Sequence, residues 1–170
     1  MGLIPEGARE EELARMMARY GSDLLRLCYV ALRDASLAED AVQDTFLKAY
    51  RAMDSIRSES SEKAWLASIA MNTCRDLRRT AWMRRVNRSL TPEDLPEATA
   101  EAEDPDQTVL EAVMRLPPKH KEAVLLRYYE GMKLREIADA LHISEETVKA
   151  RLRRANDKLR KALKGWYYDE

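Results

Sequence analysis

The sequence predicts an all-α fold of two small helical domains joined by a flexible acidic linker. Apolar residues recur at three- and four-residue steps over long stretches, which is the period of an amphipathic helix. Charged residues make up 35% of the 170 residues and only five are glycine, as suits helices with solvated faces. Sustained period-2 alternation and Asn-Gly or Asp-Gly turns, the usual signs of strands and hairpins, are absent from the sequence.

The first domain is predicted to span residues 1–88 and to begin with two helices. The apolar period runs through 10–32, with one glycine as a tolerated interruption. Ser36 and Glu39 have the spacing of a capping box, so a second helix is expected at 37–53.

A third helix, predicted at 61–85, has two distinguishable faces. An apolar face is available for packing, and a polar face is expected to be free for a partner. The polar face carries Ser68, Asn72, Arg75 and Arg79. Basic residues interleaved with Trp82 at 75–88 fit single-stranded nucleic acid, although arginines near a helix C-terminus can also be merely solvated.

The segment 89–105 lacks periodicity and contains prolines and acidic residues, which predicts a flexible linker. Residues 91–108 contain seven acidic residues and no basic one, in contrast to the basic cluster before them. The net charge of −1 therefore says little about binding partners.

The second domain, 106–170, is predicted to hold two helices, 106–116 and 119–130, followed by a helix-turn-helix. Leu134, Ile137, Ala138 and Leu141 form the apolar stripe of the first helix of that motif. His142 and Ile143 make the turn, and Ser144 is expected to cap a second, basic helix.

A helix-turn-helix with a cationic face predicts binding of duplex DNA, with phosphate contacts for affinity and side chains in the major groove. The residues expected to face the groove are Thr147, Lys149, Ala150, Arg153 and Arg154, with Arg127 upstream. A solvated helix face is the alternative interpretation.

No pattern in the sequence predicts catalysis, a metal or a cofactor, and we expect no enzyme. Cys28 and Cys74 lie within apolar helical patterns and are expected to be buried free thiols. No apolar run is long enough for a membrane span and the amino terminus is acidic, so a soluble cytoplasmic protein is expected.

Four segments together resemble bacterial extracytoplasmic-function (ECF) sigma factors, the promoter-specificity subunits of RNA polymerase. They are 38–50 (AEDAVQDTFLKAY), 64–76 (AWLASIAMNTCRD), 116–127 (LPPKHKEAVLLR) and 143–155 (ISEETVKARLRRA). The resemblance implies a protein that binds core polymerase, directs it to promoters of a stress or signal regulon and helps to open the duplex. It also implies regulation by an anti-sigma factor, often one anchored in the membrane.

The resemblance assigns roles to individual positions of this sequence. The polar patch Asp40, Gln43 and Asp44, otherwise an ordinary solvated patch, would dock on the clamp helices of the largest polymerase subunit. The loop 54–61 and Asn72 would capture a flipped base of the minus-10 element, with Arg75, Arg78 and Arg79 on nearby phosphates. The minus-35 duplex would be bound by Arg127, Thr147, Lys149, Ala150, Arg151, Arg153 and Arg154, and the acidic linker would thread towards the polymerase active site.

Two departures from the family pattern concern the turn and the start of the last helix. His142 stands where the family often has a residue that tolerates a left-handed conformation, and Glu145-Glu146 replaces a typically small pair. A stand-alone, dimeric helix-turn-helix regulator using 109–163 is the alternative function, and a protein-binding helical scaffold is a third.

Overall fold

The computed structural model describes residues 4–56, 62–87 and 105–168, and within these ranges the chain is helical without strands. The all-α prediction is confirmed. The α-helices are α1 (Glu6–Leu32), α2 (Ala35–Arg51), α3 (Glu62–Asn87), α4 (Pro105–Met114), α5 (Pro118–Val124), α6 (Leu134–Leu141) and α7 (Glu145–Tyr168).

Helices α1, α2 and α3 pack on one another around an apolar core. Met16, Leu66 and Met71 are fully buried in that core. Cys28 and Cys74 are buried free thiols, as the sequence predicted. The neighbouring Cys28 thiol, and then burial, raise the pKa of Cys74.

The start of α2 differs from the capping box that the sequence predicted. Asp34 is the N-cap, and its carboxylate accepts a hydrogen bond of 3.0 Å from the backbone N–H of Leu37. Ser36 lies inside the first turn instead, because the helix begins two residues earlier than its expected start at 37. The turn into α2 passes through Arg33, which has a left-handed backbone with φ of 56°.

The C-terminal helices form a second packed group, in which α7 contacts α4, α5 and α6. The helix predicted at 119–130 is only partly α-helical, because α5 ends at Val124 and continues as a π-helical turn, Leu125–Tyr129. Gly131, with φ of 66°, then reverses the chain before α6. This turn is closed by an i→i+5 hydrogen bond of 3.1 Å from the backbone N–H of Glu130 to the carbonyl of Leu125.

The helix-turn-helix is formed as predicted by α6, a short turn and α7. His142 ends α6 in a left-handed conformation, with φ of 56° and ψ of 44°. Ser144 caps α7, since its hydroxyl accepts a hydrogen bond of 3.1 Å from the backbone N–H of Thr147.

The two groups of helices are also in contact with each other. Helix α6 packs on α3, and α4 and α5 pack on α1. These contacts place part of the C-terminal group directly over the polar face of α3.

Candidate nucleic-acid interface

The polar face of α3 is covered by α5 and α6 in this conformation. The Nδ2 of Asn72 donates to the backbone carbonyl of Ala140, at the C-terminal end of α6, over 3.2 Å. Asn72 and Arg75 are consequently half-buried. The expectation that this face is free for a partner is therefore wrong around Asn72 and Arg75 in this conformation, because the protein's own C-terminal helices occupy that part of it.

A single carboxylate in α5 binds two of the arginines. Glu122 accepts hydrogen bonds from Arg75 at 3.0 Å and from Arg78 at 2.9 Å, one on each carboxylate oxygen. The Glu122 side chain is only 3% exposed, whereas both arginines keep an edge in solvent. Arg79, further round the helix, stays exposed and pairs with Asp76 on its own helix.

The residue before Glu122 anchors α5 to the other helical group. The ammonium of Lys121 is buried and donates to the carbonyl oxygens of Val30 at 3.2 Å and Ala31 at 3.1 Å. These carbonyls lie in the last turn of α1, where the helix dipole favours a cation. Burial lowers the pKa of Lys121 to about 8.

Lys121 and Glu122 had no functional prediction from the sequence. They immediately precede the apolar run Ala123 to Leu126. Lysine and glutamate are ordinarily solvated, so their burial was not expected. The apolar run was the only sequence feature that could have indicated their burial, because four consecutive apolar residues suggest a helix that is buried on most sides.

A third contact between the groups joins Lys63 in α3 to Glu130 after the π-helical turn, at 3.8 Å. Burial raises the pKa of Glu130. Both residues line a cavity of about 520 Å³ between α1 and the C-terminal helices.

The opposite side of the C-terminal group carries a shallow groove of about 370 Å³ along α7. Arg127, Lys149 and Arg153 from the predicted duplex-binding set line this groove together. Arg127 is held in place there, since its Nη1 donates to the carbonyl of Met132 at 2.9 Å. The groove also contains four polar residues outside the predicted duplex-binding set, namely Tyr128, Asn156, Asp157 and Arg160.

The remaining members of the duplex-binding set lie elsewhere on α7. Arg151 and Arg154, with Lys158, act on His120 of α5, whose pKa is lowered by burial first and then by these cations. Thr147 and Ala150 are half-buried, and the Thr147 hydroxyl is hydrogen-bonded to Ser144 at 2.8 Å. The structure thus divides the predicted set between two sides of one basic helix.

The acidic patch on α2 is solvent-accessible as predicted. Asp40 and Gln43 are exposed and Asp44 is half-buried. Leu47 lies one turn further along the same face and is 54% exposed. The sequence did not indicate Leu47 as a binding residue, because single exposed apolar residues are common on protein surfaces. Its position beside the polar patch became clear only from the structure.

Two predicted elements lie partly or wholly beyond the part of the chain that the structure describes. Of the loop 54–61, residues 57–61 lie outside the described residues, and so does the linker apart from Pro105. Trp82, at the far end of α3, is 65% exposed, and the neighbouring Met83 is 56% exposed. No helix in the described ranges is long and apolar enough to cross a membrane, and no group of three acidic, cysteine or histidine residues there could hold a metal ion.

Comparisons with known proteins match both helical groups to one family. The model of Sigma-70 region 2 matches residues 16–84, and that of Sigma-70 region 4 matches residues 106–159. The ECF RNA polymerase sigma factor SigL of Mycobacterium tuberculosis is 35% identical over 165 residues, which cover 92% of this chain and 93% of SigL. SigW of Bacillus subtilis is 27% identical over 169 residues, covering 91% and 90%.

Solved structures give the same fold. The sigma factor RpoE from Bartonella quintana, in complex with the anti-sigma factor NepR, superposes with a TM-score of 0.74 at 24% identity, covering 94% of this chain and 99% of RpoE. CnrH in complex with the cytosolic domain of CnrY has a TM-score of 0.63 at 25% identity, covering 92% and 90%.

A helix-turn-helix together with a basic α3 face indicates a DNA-binding protein, and the comparisons identify its family. The chain belongs to the ECF sigma-factor family. It is a promoter-recognition subunit that binds core RNA polymerase for transcription initiation.

Proposed function

We propose that the two helical groups of this sigma factor divide promoter recognition between them. Residues 1–88 bind core polymerase and the melted minus-10 element, 89–105 form an acidic linker, and 106–170 bind the minus-35 duplex. The observation that carries this proposal is the presence of two separate basic surfaces, the α3 face around Arg75 and Arg78 and the α7 groove.

On α3, Asn72 binds a base extruded from the melted strand. An amide that donates to a backbone carbonyl, as Asn72 does here, can equally donate to the edge of a base. Arg75, Arg78 and Arg79 hold the adjoining phosphates, because guanidinium groups bind phosphate and carboxylate with the same paired geometry.

On α7, Lys149 and Arg153 enter the major groove of the DNA. Arg127, in the π-helical turn, contacts the DNA phosphate backbone nearby. The shared groove supports this part of the proposal. Arg151, Arg154, Thr147 and Ala150 flank them on the adjoining side of the helix, where the cations add phosphate contacts that carry little sequence information.

On α2, Asp40, Gln43 and Asp44 dock on the clamp helices of the polymerase. Leu47 adds apolar area beside these polar groups, which is the usual composition of a protein interface.

Sigma factors as a family are generally not enzymes, and we propose that this chain likewise has no catalytic activity and no cofactor. We also propose that it acts in the cytoplasm on a stress or signal regulon and is regulated by an anti-sigma factor. The solved complex of CnrH with CnrY supports the last point, since CnrH covers most of this chain.

Reconstitution with core polymerase tests the proposed function. The purified chain should allow core polymerase to transcribe from a subset of fragments in a genomic promoter library, and Asn72→Ala should reduce strand opening more than initial duplex binding. Transcription from no fragment would refute the proposal. Tight, polymerase-independent binding to a palindromic site would instead favour a stand-alone regulator.

A further inference from the structure

The contact between α5 and the first helical group is made by two adjacent residues with different partners. Lys121 donates to the carbonyls of Val30 and Ala31, and Glu122 accepts from Arg75 and Arg78. We call this four-partner contact the α5 clasp. It joins two groups of helices that are connected in sequence only through 88–104.

The Glu122 carboxylate occupies the position that the proposed function gives to a DNA phosphate. Its two oxygens face two guanidinium groups at 2.9 and 3.0 Å, which is charge-assisted hydrogen bonding of the kind that phosphate oxygens also make. Glu122 and a phosphate of the melted strand therefore cannot bind Arg75 and Arg78 at the same time.

The same closure also blocks the base-binding group. Asn72 donates to Ala140, so its amide is engaged by the backbone of α6. The α7 groove is not affected in this way, because Lys149 and Arg153 remain exposed. Closure thus covers one of the two proposed DNA-binding surfaces and leaves the other accessible.

The composition of the clasp indicates a contact that can open. Both arginines are partly exposed, and water can replace the Glu122 carboxylate as their partner. Lys121 is buried as a cation, which costs desolvation energy that the two carbonyl bonds only partly offset. The clasp itself, made of partly exposed arginines and a buried lysine, is held less firmly than an apolar contact would be.

We infer that the free chain is autoinhibited by the α5 clasp, in which Glu122 acts as an intramolecular phosphate mimic and no second protein is required. The inference rests on the proposed function of the α3 face. Opening of the clasp frees Asn72, Arg75 and Arg78 together, and the anionic melted strand competes with Glu122 for the arginines.

The test measures binding of a fluorescent single-stranded DNA oligonucleotide, carrying a promoter minus-10 sequence, by the full free chain without polymerase. Glu122→Gln keeps the shape of the side chain and every proposed DNA-binding residue, but removes the charge that the arginines hold. We expect this variant to bind the oligonucleotide about tenfold or more tightly than the parent chain.

Asp139→Asn is the matched control, because it removes one negative charge from an exposed position of α6. Its affinity should stay within about twofold of the parent, as expected for a screened surface charge. An equal gain in Asp139→Asn and Glu122→Gln would show that only net charge matters and would overturn the inference.

Small-angle X-ray scattering of the free chain supplies a second measurement that does not depend on DNA. The parent should be compact, and Glu122→Gln should have a larger radius of gyration with an unchanged helical circular dichroism spectrum. A parent chain that is already extended in solution would overturn the inference.

Transcription with core polymerase separates the two ideas. If the parent and Glu122→Gln both transcribe but bind the oligonucleotide equally, the autoinhibition is wrong and the proposed function stands. If neither supports transcription from any promoter, the proposed function itself has failed.

Discussion

The ammonium of Lys121 lies 3.1 Å from the carbonyl oxygen of Ala31, a residue 90 positions earlier in the chain. This bond fixes α5 at the end of α1 and thereby sets where the next residue, Glu122, meets α3. The buried lysine thus helps to place Glu122 against Arg75 and Arg78.

Closure of the free chain should become more favourable as the pH rises from about 8 to about 10. Burial first, and then Arg33 and Arg78, lower the pKa of Lys121 to about 8 from an ordinary 10.5, while Glu122 and Cys74 oppose the shift. Below this window both forms hold the Lys121 proton, so Lys121 contributes no pH dependence to closure there. Within it the open form keeps a proton that the closed form has lost, and raising the pH therefore favours the closed form.

Across that window the free energy of closure becomes more favourable by on the order of 3 kcal/mol, since one pKa unit corresponds to about 1.4 kcal/mol. Small-angle scattering between pH about 7.5 and about 10 measures it as a decreasing radius of gyration in a partly open variant such as Glu122→Gln. The double variant Glu122→Gln, Lys121→Met should show no such dependence of the radius of gyration on pH. Opening with rising pH would contradict the assignment to Lys121.

Replacing Arg153 by Ala should weaken binding to a minus-35 duplex and reduce the slope of log K against log salt concentration by about 1 for each phosphate that is no longer neutralised. Arg153 is exposed and lines the same groove as Arg127 and Lys149. Fluorescence anisotropy over a salt series provides the measurement. Arg26→Ala, an exposed cation on α1, is the control and should leave the slope unchanged.

Changing Leu47 to Ser should weaken binding to core polymerase with little effect on folding. The side chain is 54% exposed beside Asp44, so it contributes little to the core. We expect a loss of about 1 kcal/mol or more in affinity if Leu47 is buried on docking. Met17→Ser, at a similarly exposed site on α1, is the matched control, and equal losses in both would exclude a specific role for Leu47.

Changing Asp34 to Ala should lower the free energy of unfolding by about 1 kcal/mol, because the first turn of α2 loses its capping carboxylate. Ser36→Ala should change stability by no more than about 0.5 kcal/mol, since Ser36 is exposed inside that turn. Urea unfolding of the two variants distinguishes the observed cap from the capping box that the sequence suggested. A larger effect at Ser36 would contradict the structure.

The sequence predicted α1, α3 and the helix-turn-helix well because their apolar residues repeat at the helical period over two turns or more. Ser144 was identified as a cap because a hydroxyl before an acidic first turn is a local signal. At α2 the spacing of Ser36 and Glu39 predicted the wrong cap, because the structure shows that Asp34, two residues earlier, caps the first turn. The change from α5 to a π-helical turn, in which Leu125 and Leu126 are buried, was not indicated by any local pattern.

The sequence by itself determined the helical class, the identity of the basic residues and, through four motifs in order, the family. Each of these depends on residue type and on spacings of a few positions, which the chain carries locally. Tertiary structure alone decided that Asn72, Arg75 and Arg78 are covered by the protein's own helices. That outcome depends on a lysine and a glutamate meeting helices that lie more than 40 residues away in sequence, and such contacts have no period to detect.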